Sequence, residues 1–212
     1  MFRHAGLLGI WLLLSGCQSA YYSAMEKVGV EKRDILVDRV EDARDAQEDA
    51  QQQFSSALER FSTLLEFDGG ELQRVYEGLK DQYEASEASA EKVSARINKV
   101  QDVADALFDE WQDELDQYSS EKLRRDSSVK LKDTQRRYTQ LLNSMRRAES
   151  KMAPVLSALK DNVLYLKHNL NASAIGSLQG EFSGIKRDID LLLREMNRAI
   201  DQSNEFIQSI QN

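Results

Sequence analysis

From about residue 27 onward, apolar and small residues recur at alternating spacings of three and four, with polar and charged residues between them. That period lines one face of an α-helix. One stripe runs from Leu36 through Val40, Ala43, Gln47, Ala50, Phe54, Ala57 and Phe61 to Leu64, and a second from Tyr76 through Leu79, Val93, Ile97 and Leu107 to Trp111. A third runs from Leu131 through Tyr138, Leu141, Met145, Met152 and Leu159 to Leu166, and a fourth from Ile175 through Phe182, Ile189, Met196 and Phe206 to Ile210. Three breaks separate them: Asp68-Gly69-Gly70, Ser119-Ser120 and His168-Asn169-Leu170-Asn171. Glycine and asparagine supply helix stops, and Ser120 or Glu121 can cap the next start.

The pattern predicts helices over roughly 27–67, 71–118, 121–168 and 173–211 in one domain spanning 27–212. Short connections between long stripes make neighbours antiparallel. The expected fold is all-α: an elongated antiparallel four-helix coiled-coil bundle, up-down-up-down, or a pair of long helical hairpins. Helices of this length reach roughly 60–70 Å. Gln47, Ser86 and Asn162 interrupt the stripes and are expected to fix register at some cost in stability. Pro154 removes one backbone hydrogen bond from the third helix, which predicts a kink over Ser150 to Pro154.

Residues 1–26 lie outside that pattern. Met1 to His4 carries one Arg and is followed by the apolar stretch Ala5 to Leu14, which has the length of an export signal and is too short to span a bilayer. Leu14-Ser15-Gly16-Cys17 follows directly, holds the only cysteine of the chain, and reads as a lipobox. Residues 1–16 are then a lipoprotein signal peptide, Cys17 is the lipidated residue, and 17–26 is a tether. A thiolate is the side chain best suited to form the thioether, and each buried CH₂ of an acyl chain adds about 0.8 kcal/mol to membrane attachment. Gln18 is not the Asp associated with inner-membrane retention in Gram-negative lipoproteins. The expected address is the outer membrane, with the body in the periplasm and surface display as the alternative.

Composition narrows the chemistry. Without Arg3 the 28 basic residues fall to 27 against 36 acidic ones, a formal net charge of −9. That argues against a general nucleic-acid binder, whose footprint is basic. With Cys17 committed to lipid, no thiol remains for a disulfide. His168 is the one histidine beyond the signal, and no Glu-x-x-His occurs, so no di-metal or transition-metal site is expected. Phosphate-loop and Gly-x-Ser-x-Gly patterns are also missing. The sequence points to a protein that is not an enzyme and needs no cofactor.

Three constellations remain. Residues 102–117 hold Asp102, Asp105, Asp109, Glu110, Asp113, Glu114 and Asp116 with no base, whereas 122–137 carry Lys122, Arg124, Arg125, Lys130, Lys132, Arg136 and Arg137 against Asp126 and Asp133. A hairpin at Ser119 lays one on the other, and complementary pairing that sets register is the favoured account. The alternative is that Arg124, Arg125, Arg136 and Arg137, continued by Arg146 and Arg147, face an anionic surface. Gly176, Gly180 and Gly184 form a ridge spaced by four; close approach of another helix is the favoured account and a ligand groove the alternative. Tyr165, His168, Asn169 and Asn171 cluster at the turn next to that ridge, where helix capping competes with a sugar- or peptide-binding role. With Gly69 and Gly70 they mark the end expected to point away from the membrane.

Several of these segments carry a likeness. With the lipobox, Phe67-Asp68-Gly69-Gly70-Glu71-Leu72, Ala106-Leu107-Phe108-Asp109-Glu110-Trp111, Met145-Arg146-Arg147-Ala148-Glu149-Ser150-Lys151-Met152 and Val163-Leu164-Tyr165-Leu166-Lys167-His168-Asn169-Leu170-Asn171 together resemble a family of Gram-negative proteins known as a domain of unknown function (DUF2959). The resemblance implies a lipoprotein-type, all-helical body and carries no activity or site with it.

The functional expectation is a non-enzymatic envelope lipoprotein acting as a coiled-coil spacer, adaptor or assembly factor, held to the membrane by lipid on Cys17. A protein partner or self-association is expected. The alternatives are a periplasmic module that binds peptidoglycan, lipid or peptide at the distal end, and a membrane-surface binder working through the Arg-rich third helix.

Overall fold

A computed structural model describes residues 29–65, 72–169 and 171–211, the side chains of Leu64, Leu65 and Ala172 excepted. The described residues form four helices: α1 (Lys32–Leu65), α2 (Leu72–Leu115), α3 (Glu121–His168) and α4 (Ala172–Gln211). Each packs on two others, α1 on α2 and α4, and α3 on α2 and α4. Cross-helix pairs run in opposite directions: Lys32 meets Glu110 and Asp42 meets Arg96 between α1 and α2. Trp111 meets Ser127 and Phe108 meets Tyr138 between α2 and α3. Tyr165 meets Ser177 between α3 and α4, and Arg44 meets Asn204 between α1 and α4. The arrangement is an up-down-up-down four-helix bundle, which decides against separate paired hairpins.

The four stripes form the core. Leu36, Val40, Ala43, Ala50, Phe54, Ala57 and Phe61 of α1 are all wholly buried. Rings tie the helices at both ends: Phe61 stacks on Phe182 at 5.6 Å, while Tyr138 meets Phe108 at 5.3 Å and Phe206 at 6.4 Å. Polar residues inside the stripes are handled unequally. Ser86 and Ser203 donate to carbonyls one turn back at 2.7 Å, and Asn162 Nδ2 donates to the Ala158 carbonyl at 2.6 Å. Both polar atoms of the Gln47 amide and the hydroxyl of Tyr138 are buried without a partner among the described residues.

Helix ends depart from expectation at two places. α1 begins at Lys32 and not near residue 27, because Gly29 takes a φ of +83°, a left-handed conformation that a helix cannot continue through. α2 stops at Leu115 and not at Tyr118, because the Gln117 N–H turns back onto the Glu114 carbonyl at 3.0 Å. Ser120, in extended conformation, caps α3, its Oγ accepting from the Leu123 N–H at 3.4 Å. α3 is continuous across Pro154. Ser150, whose carbonyl loses its usual donor there, is exposed, as is Pro154.

The bundle has unequal ends. At the near end, where α1 begins, Lys32 already lies 2.8 Å from Glu110. Ile210, next to last in α4, lies beside Lys130 and Thr134. The α2–α3 hairpin therefore runs on past α1 and α4 by roughly 15 Å. Glu121 to Asp126 are exposed throughout this overhang.

Candidate functional site

The far end holds the turn between α3 and α4. Asn169 closes α3: its backbone N–H reaches the Leu166 carbonyl at 3.1 Å and its Nδ2 donates to the Tyr165 carbonyl at 2.9 Å. Asn171 opens α4, Oδ1 accepting from the Ala174 N–H at 3.1 Å. Both amides thus act as helix caps, satisfying groups a helix end leaves unpaired. His168 is exposed on the last turn of α3. Cys17, Gly69 and Gly70 lie outside the described residues.

A groove of about 460 Å³ opens beside this turn, between α3 and α4, with Ala158 and Leu178 as its apolar part and Asp161, Asn162, Tyr165, Ser177 and Glu181 as its polar part. The Tyr165 hydroxyl donates across it to Ser177 Oγ at 3.3 Å. Of the residues expected at this end, Asn162 and Tyr165 line the groove; His168 and Asn169 do not.

The glycine ridge does not pack. Among the described residues a Cβ added at Gly176 or Gly180 meets nothing within 4 Å, and at Gly184 it meets only the Arg187 guanidinium at 3.9 Å. No helix backbone approaches, which overturns the expected close seam. The reason is phase: the buried residues Ile175, Leu178 and Ile185 take the core side of α4, and residues spaced by four from Gly176 fall on the solvated side.

Among the described residues no ion pair joins the opposite charges of the α2–α3 hairpin, although the Arg124 guanidinium is raised by its hydrogen bond to Glu121 and also, across the turn, by the charge of Asp116. Arg124 and Arg125 pair with Glu121, and Arg136 and Arg137 with Asp133, all within α3. Arg146 pairs with Glu149 of its own helix and reaches α2 only at the amides of Asn98 and Gln101, at 2.7 and 3.0 Å. Hydrogen bonds from Arg136 and Arg137 hold the Asp133 carboxyl below its ordinary range, and Arg124 does the same to Glu121. On α2, burial and then the neighbouring Asp109 and Asp102 push Asp105 upward. Cross-helix ion pairs join α1 to α2 instead, through Lys32–Glu110, Asp42–Arg96 and Asp49–Lys92. An arginine three or four residues from a carboxylate reaches it with less ordering than one across a helix gap. Arg147 is exposed.

A second recess, of about 320 Å³, went unnoticed in the sequence. It sits at the near end where all four helices converge: Leu107, Trp111 and Ile210 are its apolar residues, and Arg33, Lys130 and Arg137 its cations. The Trp111 indole N–H donates to Ser127 Oγ at 2.8 Å, fixing the ring between α2 and α3. Only the unequal helix ends create the recess. The one sequence signal was Leu123 and Val129, apolar residues preceding the third stripe.

No helix of the described residues is long and apolar enough to cross a membrane, and none of their His, Cys, Asp and Glu side chains form a group of three that could hold a metal ion. Geometry defines the class, an elongated up-down-up-down four-helix bundle with solvent-facing charge on α2 and α3. Residues 21–210 match the family described as a protein of unknown function (DUF2959), and the chain belongs to it. No curated protein and no solved structure matches the chain.

Proposed function

We propose that this is a non-enzymatic lipoprotein of the outer membrane whose body stands in the periplasm as a helical spacer and adaptor. The observation that carries the reading is the continuous side-chain seam. It runs from Leu36 and Tyr138 at one end to Phe61, Leu166 and Leu178 at the other. Such a core holds two ends apart, and α3 alone, with 48 residues, is about 70 Å long. The chain enters the bundle at the near end, so lipid on Cys17 would present the Asn169 turn to a partner at a fixed height.

Two measurements test this. Metabolic labelling with a fatty-acid analogue is expected to mark the protein and to fail in Cys17→Ser, whose body leaves the membrane fraction; an unlabelled native protein would sink the lipoprotein reading. A photoreactive residue at Leu164, 49% exposed beside the far turn, is expected to capture one recurrent partner in intact cells. Absence of any capture there would count against an adaptor.

The far-end groove favours a second reading, a ligand-binding module. Asp161 and Glu181 give it negative charge, and Asn162, Tyr165 and Ser177 add amide and hydroxyl groups. Those groups suit an amine-bearing sugar or peptide such as a peptidoglycan fragment. Titration with soluble muropeptides, and its loss in Asp161→Asn with Glu181→Gln, is the test.

A further inference from the structure

We infer that the near-end recess binds the headgroup of an anionic phospholipid in the membrane to which the chain is tethered. This rests on the lipoprotein reading above for its membrane, though not for its geometry.

Cations surround an apolar floor. Arg33, Lys130 and Arg137 come from α1 and α3, while Leu107, Trp111 and Ile210 lie beneath them. The single carboxylate in the lining, Asp133, is already held by Arg136 at 2.6 Å and Arg137 at 3.3 Å. Lys130 has no ion pair among the described residues and is exposed. Arg33 lies 3.6 Å from Asp34, which does not line the recess, so a phosphate diester would meet a modest surplus of positive charge centred on Lys130.

The apolar part continues outward. Leu123, Lys130 and Arg137 are spaced by seven and so share one face of α3. Tyr118 lies just past the end of α2, in the connection to α3. Farther up the bundle α1 and α4 close this seam. Here they have ended, and Leu123 is left 55% and Tyr118 40% exposed. Leu115 stays buried there, so the seam is open only in part: cations and apolar groups lie together in the recess, and Leu123 and Tyr118 extend its apolar surface toward a tip that also carries Lys122, Arg124 and Arg125. An amphiphile offers both kinds of group, a headgroup for the cations and acyl chains for the apolar side chains. Tyr118 also suits the interfacial layer, where an apolar ring and a polar hydroxyl are both satisfied. The acidic residues of the overhang, Asp113, Glu114, Asp116, Glu121 and Asp126, are exposed and do not line the recess.

Position gives the second argument. The 28 residues that precede Gly29, with Cys17 among them, join the bundle at this end. The surface that faces the tether is thus the one with an unclosed seam and surplus cations.

The test places a photoreactive residue at Leu123 of the full-length protein in native membranes containing radiolabelled phospholipid. Labelled lipid is expected to crosslink there, and not from a photoreactive residue at Leu164. Lys130→Glu alone is expected to reduce the adduct at least about fivefold, and with Arg137→Glu at least roughly 30-fold, since each basic residue near an anionic surface contributes about 1 kcal/mol and the new carboxylates add repulsion. Thermal melts check that both variants fold; should the double variant fail, Lys130→Glu carries the test. Capture of the chain's own residues 18–28, or of a second copy, in place of lipid would overturn the inference. So would a lipid adduct indifferent to Lys130. Full-length Cys17→Ser mixed with vesicles of phosphatidylethanolamine and phosphatidylglycerol separates the two readings. An adduct there, with Cys17 unlipidated in the native protein, refutes the tether and keeps the site. A lipidated Cys17 with no lipid at Leu123 does the reverse.

Discussion

The ring of Tyr138 meets that of Phe108 edge to face at 5.3 Å, while the Tyr138 hydroxyl, buried in the same seam, has no hydrogen-bond partner. The ring contributes packing and the hydroxyl detracts from it. Tyr138→Phe keeps both aromatic contacts and removes an unsatisfied polar atom, so it is expected to stabilise the bundle by about 1 kcal/mol. Burial also pushes the Tyr138 phenol above its ordinary value of 10.0. The unfolded chain therefore ionises first, and this residue's contribution is full below about pH 10 and falls as pH rises. Tyr83, raised to about 12 by its hydrogen bond to Glu87, acts in the same direction in both proteins. Urea unfolding of the pair at neutral pH and above pH 10 should show the gap widening in favour of the phenylalanine variant. A destabilised variant would mean that the hydroxyl has a partner.

Gln47 poses the same question more sharply, because neither its Nε2 nor its Oε1 is paired. Methionine has nearly its shape without the amide. Gln47→Met is expected to add about 1–3 kcal/mol and to loosen specificity, since a buried polar residue in a helical seam opposes slipped registers and other oligomers. Chemical denaturation reads the first effect and light scattering the second. A stability gain with an unchanged, single oligomeric state would remove the register role.

Burial phase was the legible part of this fold. Leu36 through Phe61 and Leu141 through Leu166 announced their buried faces by spacing alone, and Ser120 announced the start of α3 by its cap. The glycine ridge misled because spacing by four says that Gly176, Gly180 and Gly184 share a face, not which face. Their offset from Ile175 and Leu178 held that answer. The opposite charges of 102–117 and 122–137 misled for another reason: composition cannot tell a carboxylate across a gap from one a turn away, and Arg136 took Asp133. The near-end recess was illegible because it depends on where α1 and α4 stop relative to α2 and α3. That is a three-dimensional register which only Lys32 against Glu110, and Ile210 against Lys130, makes visible.

Pro154 lies on the exposed side of a continuous α3. Its ring removes the donor that the Ser150 carbonyl would otherwise receive, while Ser150 Oγ separately donates to the Arg147 carbonyl at 2.7 Å. An interior proline costs an exposed helix about 3 kcal/mol relative to alanine, and water at the exposed Ser150 offsets part of that. Pro154→Ala is expected to raise stability by about 1–3 kcal/mol. If instead the proline sets a bend that the core of α3 requires, the alanine variant will melt lower than the parent.

Gly176 and Gly180 stand on a solvated face with open space where a Cβ would go. Fold stability alone would favour alanine at both, by about 0.5–1 kcal/mol each, because glycine loses more backbone freedom on folding. Gly176→Ala with Gly180→Ala is therefore expected to stabilise the isolated protein by about 1–2 kcal/mol. The same variant carries a functional reading. Two methyl groups leave the bundle intact and obstruct only something that lies against the bare ridge from outside. If capture by a photoreactive residue at Leu164 survives in the stabilised variant, the ridge plays no part in the contact at the far end. If capture is lost while stability rises, the glycines are kept for a partner that approaches the backbone of α4, and the far-end face extends from Tyr165 across Ser177 to Gly180.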